Sequence, residues 1–182
     1  MLSSEPKWVA VYTNPRAEKR VDDLLRGQGI ESYLPLKREL HNWSDRKKWV
    51  EIPLIKSYIF ARITKKMVEP VRHTPGVSHI VAFKGEPATI PDSEIQMIKD
   101  FIAADAKMSI QEVQMLKRGE VVWITRGTFE GSRGRLVSDC QDGNFAVEIS
   151  GISMAIVVEI DSDFMKAIPA EKKTRQREYK ML

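Results

Sequence analysis

The sequence predicts an α+β protein of two units: an N-terminal antiparallel sheet with helices on one face, then a small C-terminal β-barrel. Three observations carry that. Residues 7–104 alternate β-rich runs with segments of helical apolar spacing. Beyond residue 116 the texture changes to short β segments at 121–125, 133–138, 144–149, 154–160 and 164–168, a density that suits a small closed barrel. Gly119, Gly127, Gly131 and Gly134 punctuate the first two of these, making their connection a loop that holds one aromatic, Phe129.

In chain order, residues 8–13 alternate β-formers and predict a strand. Asn14 and Pro15 follow as N-cap and first helical residue, then Ala17, Val21, Leu24 and Leu25 recur at helical spacing until Gly27 and Gly29. A second strand is expected at 32–36, an irregular polar hairpin at 37–49 and its returning arm at 50–52. Residues 57–63 are the next strand, 66–74 a short helix broken by Pro70, and Thr74-Pro75-Gly76 a type II turn. A strand at 77–83 and a helix capped by Asp92 and Ser93, with Ile95, Ile98, Phe101 and Ile102 on one face, complete the first unit. Residues 105–115 read as a linker, 116–168 as the barrel, and 169–182 as a basic tail carrying Lys172, Lys173, Arg175, Arg177 and Lys180.

The 182 residues carry a formal charge of +4, which suits contact with a polyanion without demanding it. No apolar run reaches the roughly 20 residues of a membrane span, and residues 1–7 lack a signal-peptide core, so the expected compartment is the cytoplasm. Cys140 is the single cysteine, and His41, His73 and His79 have no metal-ligand spacing. No nucleophile elbow or phosphate-binding glycine loop is present, so no enzyme, metal or cofactor is expected.

Strand alternation in 57–63 places Ile59, Ala61 and Ile63 on one face and Tyr58, Phe60 and Arg62 on the other. With the aliphatic face beneath the helices, the aromatic face is expected to be open, joined by Trp8 and Tyr12 from the first strand. Such a face is a partner surface, or a contact covered by the second unit or the hairpin. Arg16, Lys19 and Arg20 cluster at the start of the first helix, as phosphate contacts or as a solvated face beside Glu18, Asp22 and Asp23. The hairpin sets Arg46, Lys47 and Lys48 between Trp43 and Trp49, which suits nucleic acid or a polar turn packed on the sheet.

Taken together, the run from Trp8 to Lys19, Tyr33-Leu34-Pro35, the stretch from Pro53 to Phe60, Thr74-Pro75-Gly76-Val77 and the stretch from Val81 to Gly85 resemble, in order, the N-terminal domain of NusG-family transcription factors. The 119–137 segment resembles their KOW motif. The resemblance spans residues 7–168 and implies an NGN-type domain followed by a KOW-type barrel. The Arg16–Lys19 helix and the hairpin look most like specialised paralogues such as RfaH, LoaP and the UpxY antiterminators of polysaccharide operons.

The resemblance implies docking on the clamp of RNA polymerase through Trp8, Tyr12, Tyr58 and Phe60, with pausing suppressed. Exposed non-template DNA would meet Asn14, Arg16, Lys19, Arg20, Arg46, Lys47 and Lys48. Phe129 and Arg133 would offer the KOW loop to a ribosomal protein or termination factor. A monomer is expected. The alternatives are a housekeeping NusG and a KOW-containing ribosome or RNA-binding protein. Two departures stand out: Lys56-Ser57 replaces the family's usual proline-glycine or proline-asparagine, and a short segment leaves only Lys65 and Lys66 as candidates for the polymerase gate-loop contact. The many glycines and the run Ile156-Val157-Val158 favour strands over a helical C-terminal hairpin.

Overall fold

The computed structural model describes residues 2, 4–42, 47–113, 121–125, 129–131, 133–136, 144–149, 151–159 and 165–167. Its N-terminal sheet is antiparallel and centred on β1 (Lys7–Thr13). On one side β1 pairs β5 (Tyr58–Ile63), which pairs β2 (Glu31–Tyr33). On the other side β6 (Val77–Ile80) and β9 (Thr89–Ile90) share successive parts of β1's edge. Between them a hairpin, β7 (Ala82–Phe83) and β8 (Glu86–Pro87), leaves the sheet. Lys84 at φ 51 and Gly85 at φ 81 give this hairpin a two-residue loop with both central residues left-handed, matching the twist of the strands.

The expected alternation is present. Val9, Val11, Ile59, Ala61 and Ile63 share a core with Val21 and Leu25 of α1 (Glu18–Gly27) and Val71 of α2 (Val68–Arg72). Gly76 at φ 98 closes the predicted turn, and an added Cβ there would stand 2.9 Å from Val21 Cγ2, so the turn lies hard against α1.

Two expectations need correction. The helices do not all lie on one face: α3 (Asp92–Ala103) packs Ile95, Ile98 and Phe101 on the aromatic side, with Trp8, Ala10 and Phe60. The strand pattern gave no means of assigning α3 to a face, because β1 is apolar on both sides. The first helix also starts later than predicted. Ala17 occupies the cap position without a side-chain cap, and Asn14, Pro15 and Arg16 form a turn in which Arg16 adopts φ 64.

The polar hairpin is more regular than its sequence indicates. It forms a two-stranded ribbon of β3 (Leu36–Asn42) and β4 (Lys47–Pro53), in unbroken register from Leu36↔Pro53 to Asn42↔Lys47. Leu40 and Trp49 are both exposed, so no buried face marked the ribbon with apolar periodicity.

The C-terminal unit is a six-stranded antiparallel sheet in the order β10-β14-β13-β12-β11-β15. Its strands are β10 (Met108–Glu112), β11 (Val121–Ile124), β12 (Arg133–Leu136), β13 (Asn144–Glu148), β14 (Met154–Glu159) and β15 (Met165–Ala167). Every predicted C-terminal strand has its counterpart. Strand β10 lies instead in the segment read as linker; Met108 and Ile110 are a two-member alternation that becomes a strand by pairing with β14.

The two units meet. Val122, Ile124, Val147, Ile149, Ile152 and Ile156 belong to the same apolar cluster as Trp8, Phe60 and α3. Phe129 packs edge-on against Phe101 with ring centroids 4.6 Å apart, and a Cβ on Gly151 would stand 2.8 Å from that of Ala88.

Candidate functional site

The aromatic side of the N-terminal sheet is divided by α3. At one end Trp8 is 4% exposed and Phe60 fully buried, so neither is the open surface expected of it. Tyr33 stacks on Phe60 at 6.4 Å, and Lys99 of α3 holds its ammonium 5.1 Å from the Tyr33 ring and 5.8 Å from that of Trp8. Burial, and secondarily the Asp100 carboxylate, push the Tyr33 hydroxyl up to about 12. Arg62 continues this end, with Glu31 at 3.5 Å and Asp92 at 3.6 Å.

At the other end the register sets Tyr12 opposite Tyr58 on one neighbour and His79 on the other. The two tyrosines meet edge-on at 5.0 Å, and His79 stacks on Tyr12 at 5.1 Å. Tyr12 and Tyr58 are half-buried and His79 is exposed, so this end presents aromatic edges to solvent on a rigid base. Burial, then the neighbouring Tyr12, raise the Tyr58 hydroxyl above its ordinary value. The contribution of His79 was missed, because its pairing with Tyr12 spans far more sequence than any local pattern reads.

The start of β5 is held by a residue that the sequence reading took for a surface acid. Glu18 is only 6% exposed, and its Oε1 accepts the Ser57 N–H at 2.8 Å. Ser57 takes φ 61, the left-handed backbone that suits glycine, and its carbonyl accepts the Thr13 N–H at 2.8 Å. The Lys56-Ser57 departure thus keeps a glycine-like turn, and α1, β1 and β5 are joined beside Tyr12 and Tyr58.

Asn14, Arg16, Lys19 and Arg20 are exposed at this same corner. Lys19 Nζ donates to the Glu51 carbonyl of β4 at 2.8 Å, bringing the basic start of α1 against the ribbon. Lys47 and Lys48 are exposed on β4, whereas Trp43 and Arg46 lie outside the described residues. Lys65 and Lys66 are exposed in the 3-10 turn before α2. Phe129 is half-buried against Phe101; Arg133 pairs with Trp123 in the sheet, and its side chain lies outside the described residues. Among the described residues no group of His, Cys, Asp or Glu is arranged to hold a metal, and no helix is long and apolar enough to cross a membrane.

Fold and site define a two-unit α+β protein, in which the N-terminal domain presents aromatic edges beside a cationic corner and is followed by a small antiparallel β unit. The chain belongs to the NusG family: the model for "Transcription termination factor nusG" matches residues 6–99, more than half of its length. It is 28% identical to the transcription termination/antitermination protein NusG of Rickettsia felis over 172 residues, 88% of this chain and 89% of that one. The Rickettsia conorii protein of the same name is also 28% identical, over 91% of this chain and 94% of its own. Among solved structures, one concerning domain interaction in Thermotoga maritima NusG aligns with a TM-score of 0.52, covering 90% of this chain and 98% of its own. At 20% identity that likeness shows the fold alone. The chain is thus a NusG-type transcription termination/antitermination factor, a family of non-enzymatic proteins.

Proposed function

We propose that this chain is an antitermination and processivity factor that docks on the clamp region of RNA polymerase through Tyr12 and Tyr58. The observation carrying this is the half-exposed Tyr12–Tyr58–His79 stack on a buried base of Trp8 and Phe60. A rigid aromatic edge set loses little side-chain freedom on binding, which suits a hot spot. Trp8 and Phe60 act from beneath, by fixing the strands that carry the tyrosines. Asn14, Arg16, Lys19 and Arg20, with Lys47 and Lys48, hold exposed non-template DNA beside the docked face. No bond is made or broken; binding one polymerase state more tightly shifts it from paused to elongating. Phe129 and Arg133 serve a ribosomal protein or termination factor, and the half-buried Phe129 becomes fully accessible when it leaves Phe101.

The basic corner favours action at particular operons, of the polysaccharide type. A general elongation factor is the second reading, favoured by relatives of the NusG name that align over about nine-tenths of both chains. In a purified transcription assay, Tyr12→Ala with Tyr58→Ala should abolish pause suppression while the melting curve stays cooperative; full activity in that folded variant rules out the docking face. Chromosome-wide occupancy separates the two readings, by binding confined to a few operons or spread over most transcribed genes.

A further inference from the structure

Strand β6 departs from strict alternation beside the docking pair. Its register against β1 runs Val11↔Ile80 and Tyr12↔His79, then passes to Thr13↔Val77, so Ser78 is an extra residue in β6. Val77 and Ile80 both pack on the core shared with α1, although an unbroken strand sends residues three apart to opposite faces. The extra residue leaves Ser78 and His79 together at the surface, with Ser78 Oγ 3.2 Å from His79 Nδ1. Adjacent side chains of a regular strand point apart, so this contact is a product of the bulge.

The bulge gives the imidazole a fixed presentation. The ring stacks on Tyr12 with centroids 5.1 Å apart and 28° between the planes. When the Ser78 hydroxyl donates to Nδ1, the ring proton is on Nε2, and in the imidazolium Nε2 carries a proton too. His79 has no ion pair among the described residues, and its Nε2 makes no hydrogen bond there. Around it stand Tyr12 of β1, Tyr58 of β5 behind Tyr12, and Lys84 and Glu86 of the hairpin that follows β6. The Asn14 N–H donates to the Gly76 carbonyl at 2.9 Å, which ties the turn carrying Arg16 to the start of β6. A protein seated on Tyr12 and Tyr58 therefore meets Arg16 and His79 together, and carboxylates complement both.

We propose that His79 is a specificity-determining residue of the docking face, its Nε2–H binding a carboxylate of the polymerase surface seated on Tyr12 and Tyr58. The site rests on the reading that these tyrosines dock. A carboxylate accepts from a neutral imidazole and accepts more strongly from the imidazolium. Free imidazole takes up its proton at about pH 6.5, so docking tightens as pH falls through that range and the gain is lost as pH rises.

The test measures the affinity of the labelled whole chain for core RNA polymerase free of nucleic acid, at about pH 6 and about pH 8, on either side of the imidazole range. The unsubstituted chain should bind about fivefold more tightly at the lower pH, within the tenfold that one pKa unit is worth. His79→Phe keeps a ring on Tyr12 without an N–H. It should keep its melting curve and bind about tenfold more weakly at the lower pH, the loss of one charge-assisted hydrogen bond. Titration of the polymerase itself remains in His79→Phe, so the difference between the two pH slopes reads His79 alone. His79→Gln keeps an uncharged donor and should recover part of the affinity at the higher pH without the pH dependence. Tyr58→Ala should weaken binding at both pH values and keep the gain at the lower one.

An equal pH slope in His79→Phe and the unsubstituted chain overturns the proposal, whatever Tyr58→Ala does. Full affinity in Tyr58→Ala, with the His79→Phe difference still present, removes docking through the tyrosines and leaves the carboxylate contact standing. A pH gain that appears only with polymerase on a nucleic-acid scaffold makes the acceptor a phosphate and overturns the assignment to protein.

Discussion

Gly151 and Gly131 offer matched probes of the seam between the two units. Both sit in the left-handed region, at φ 82 and φ 83. Alanine at either position therefore meets the same backbone penalty, about 1–2 kcal/mol. They differ in what the new methyl group would touch. Around Gly131 nothing among the described residues lies within 4 Å of an added Cβ, whereas at Gly151 the Cβ would stand 2.8 Å from Ala88 Cβ across the seam. Carbon atoms prefer about 3.5–4.0 Å, so the seam must open or the turn must shift.

Gly151→Ala should therefore cost about 0.5–3 kcal/mol more than Gly131→Ala, the usual coupling range for residues in contact. Ala88→Gly removes the obstructing methyl, and the remaining Ala88 carbon and oxygen are at an ordinary 3.7 Å. The double variant should recover most of the excess. Urea unfolding of all four proteins gives the double-mutant cycle, and hydrogen exchange of the α3 amides reads the seam directly. Equal losses at the two glycines, or a cycle without coupling, would refute the packing of Gly151 on Ala88.

Three further outcomes follow from the N-terminal domain. Phe60→Ala should cost about 3–5 kcal/mol because the ring is fully buried, whereas Tyr58→Ala gives up an aromatic pair of about 0.5–1.5 kcal/mol and part of one ring's burial; thermal melts should show the difference. Glu18→Ala leaves the Ser57 N–H without its acceptor and should lose about 1–3 kcal/mol, while Glu18→Gln keeps an acceptor oxygen and should recover much of it in chemical unfolding. Tyr33 is neutral in the fold up to about 12 against an ordinary 10.0, so the unfolded chain releases this proton first. Its contribution is fully present below pH 10.0 and is lost as pH rises toward about 12, so Tyr33→Phe should flatten the alkaline fall in stability.

The class and most strands were legible because their signals are local. Period-two runs gave β1, β5 and the C-terminal strands, and Thr74-Pro75-Gly76 gave its turn. Lys19 and Arg20 lie exposed on α1 as the helical spacing implied, while Arg16 lies exposed in the turn before it rather than on the helix. What escaped depended on distant pairing. Whether α3 sits above Phe60 or on the opposite face is decided by packing, and β1 is apolar toward both sides. The burial of Glu18 arises from a backbone N–H 39 residues away, and no spacing rule reaches it. The same holds for β10, whose partner β14 lies across the whole C-terminal unit.

Docking at the open end of the aromatic face is tested most directly by the affinity of the purified chain for core RNA polymerase. Tyr58→Ala, shown by its melting curve to be folded, should bind about thirtyfold or more weakly, the loss expected of an interface hot spot. Affinity equal to that of the unsubstituted chain would contradict docking through Tyr58.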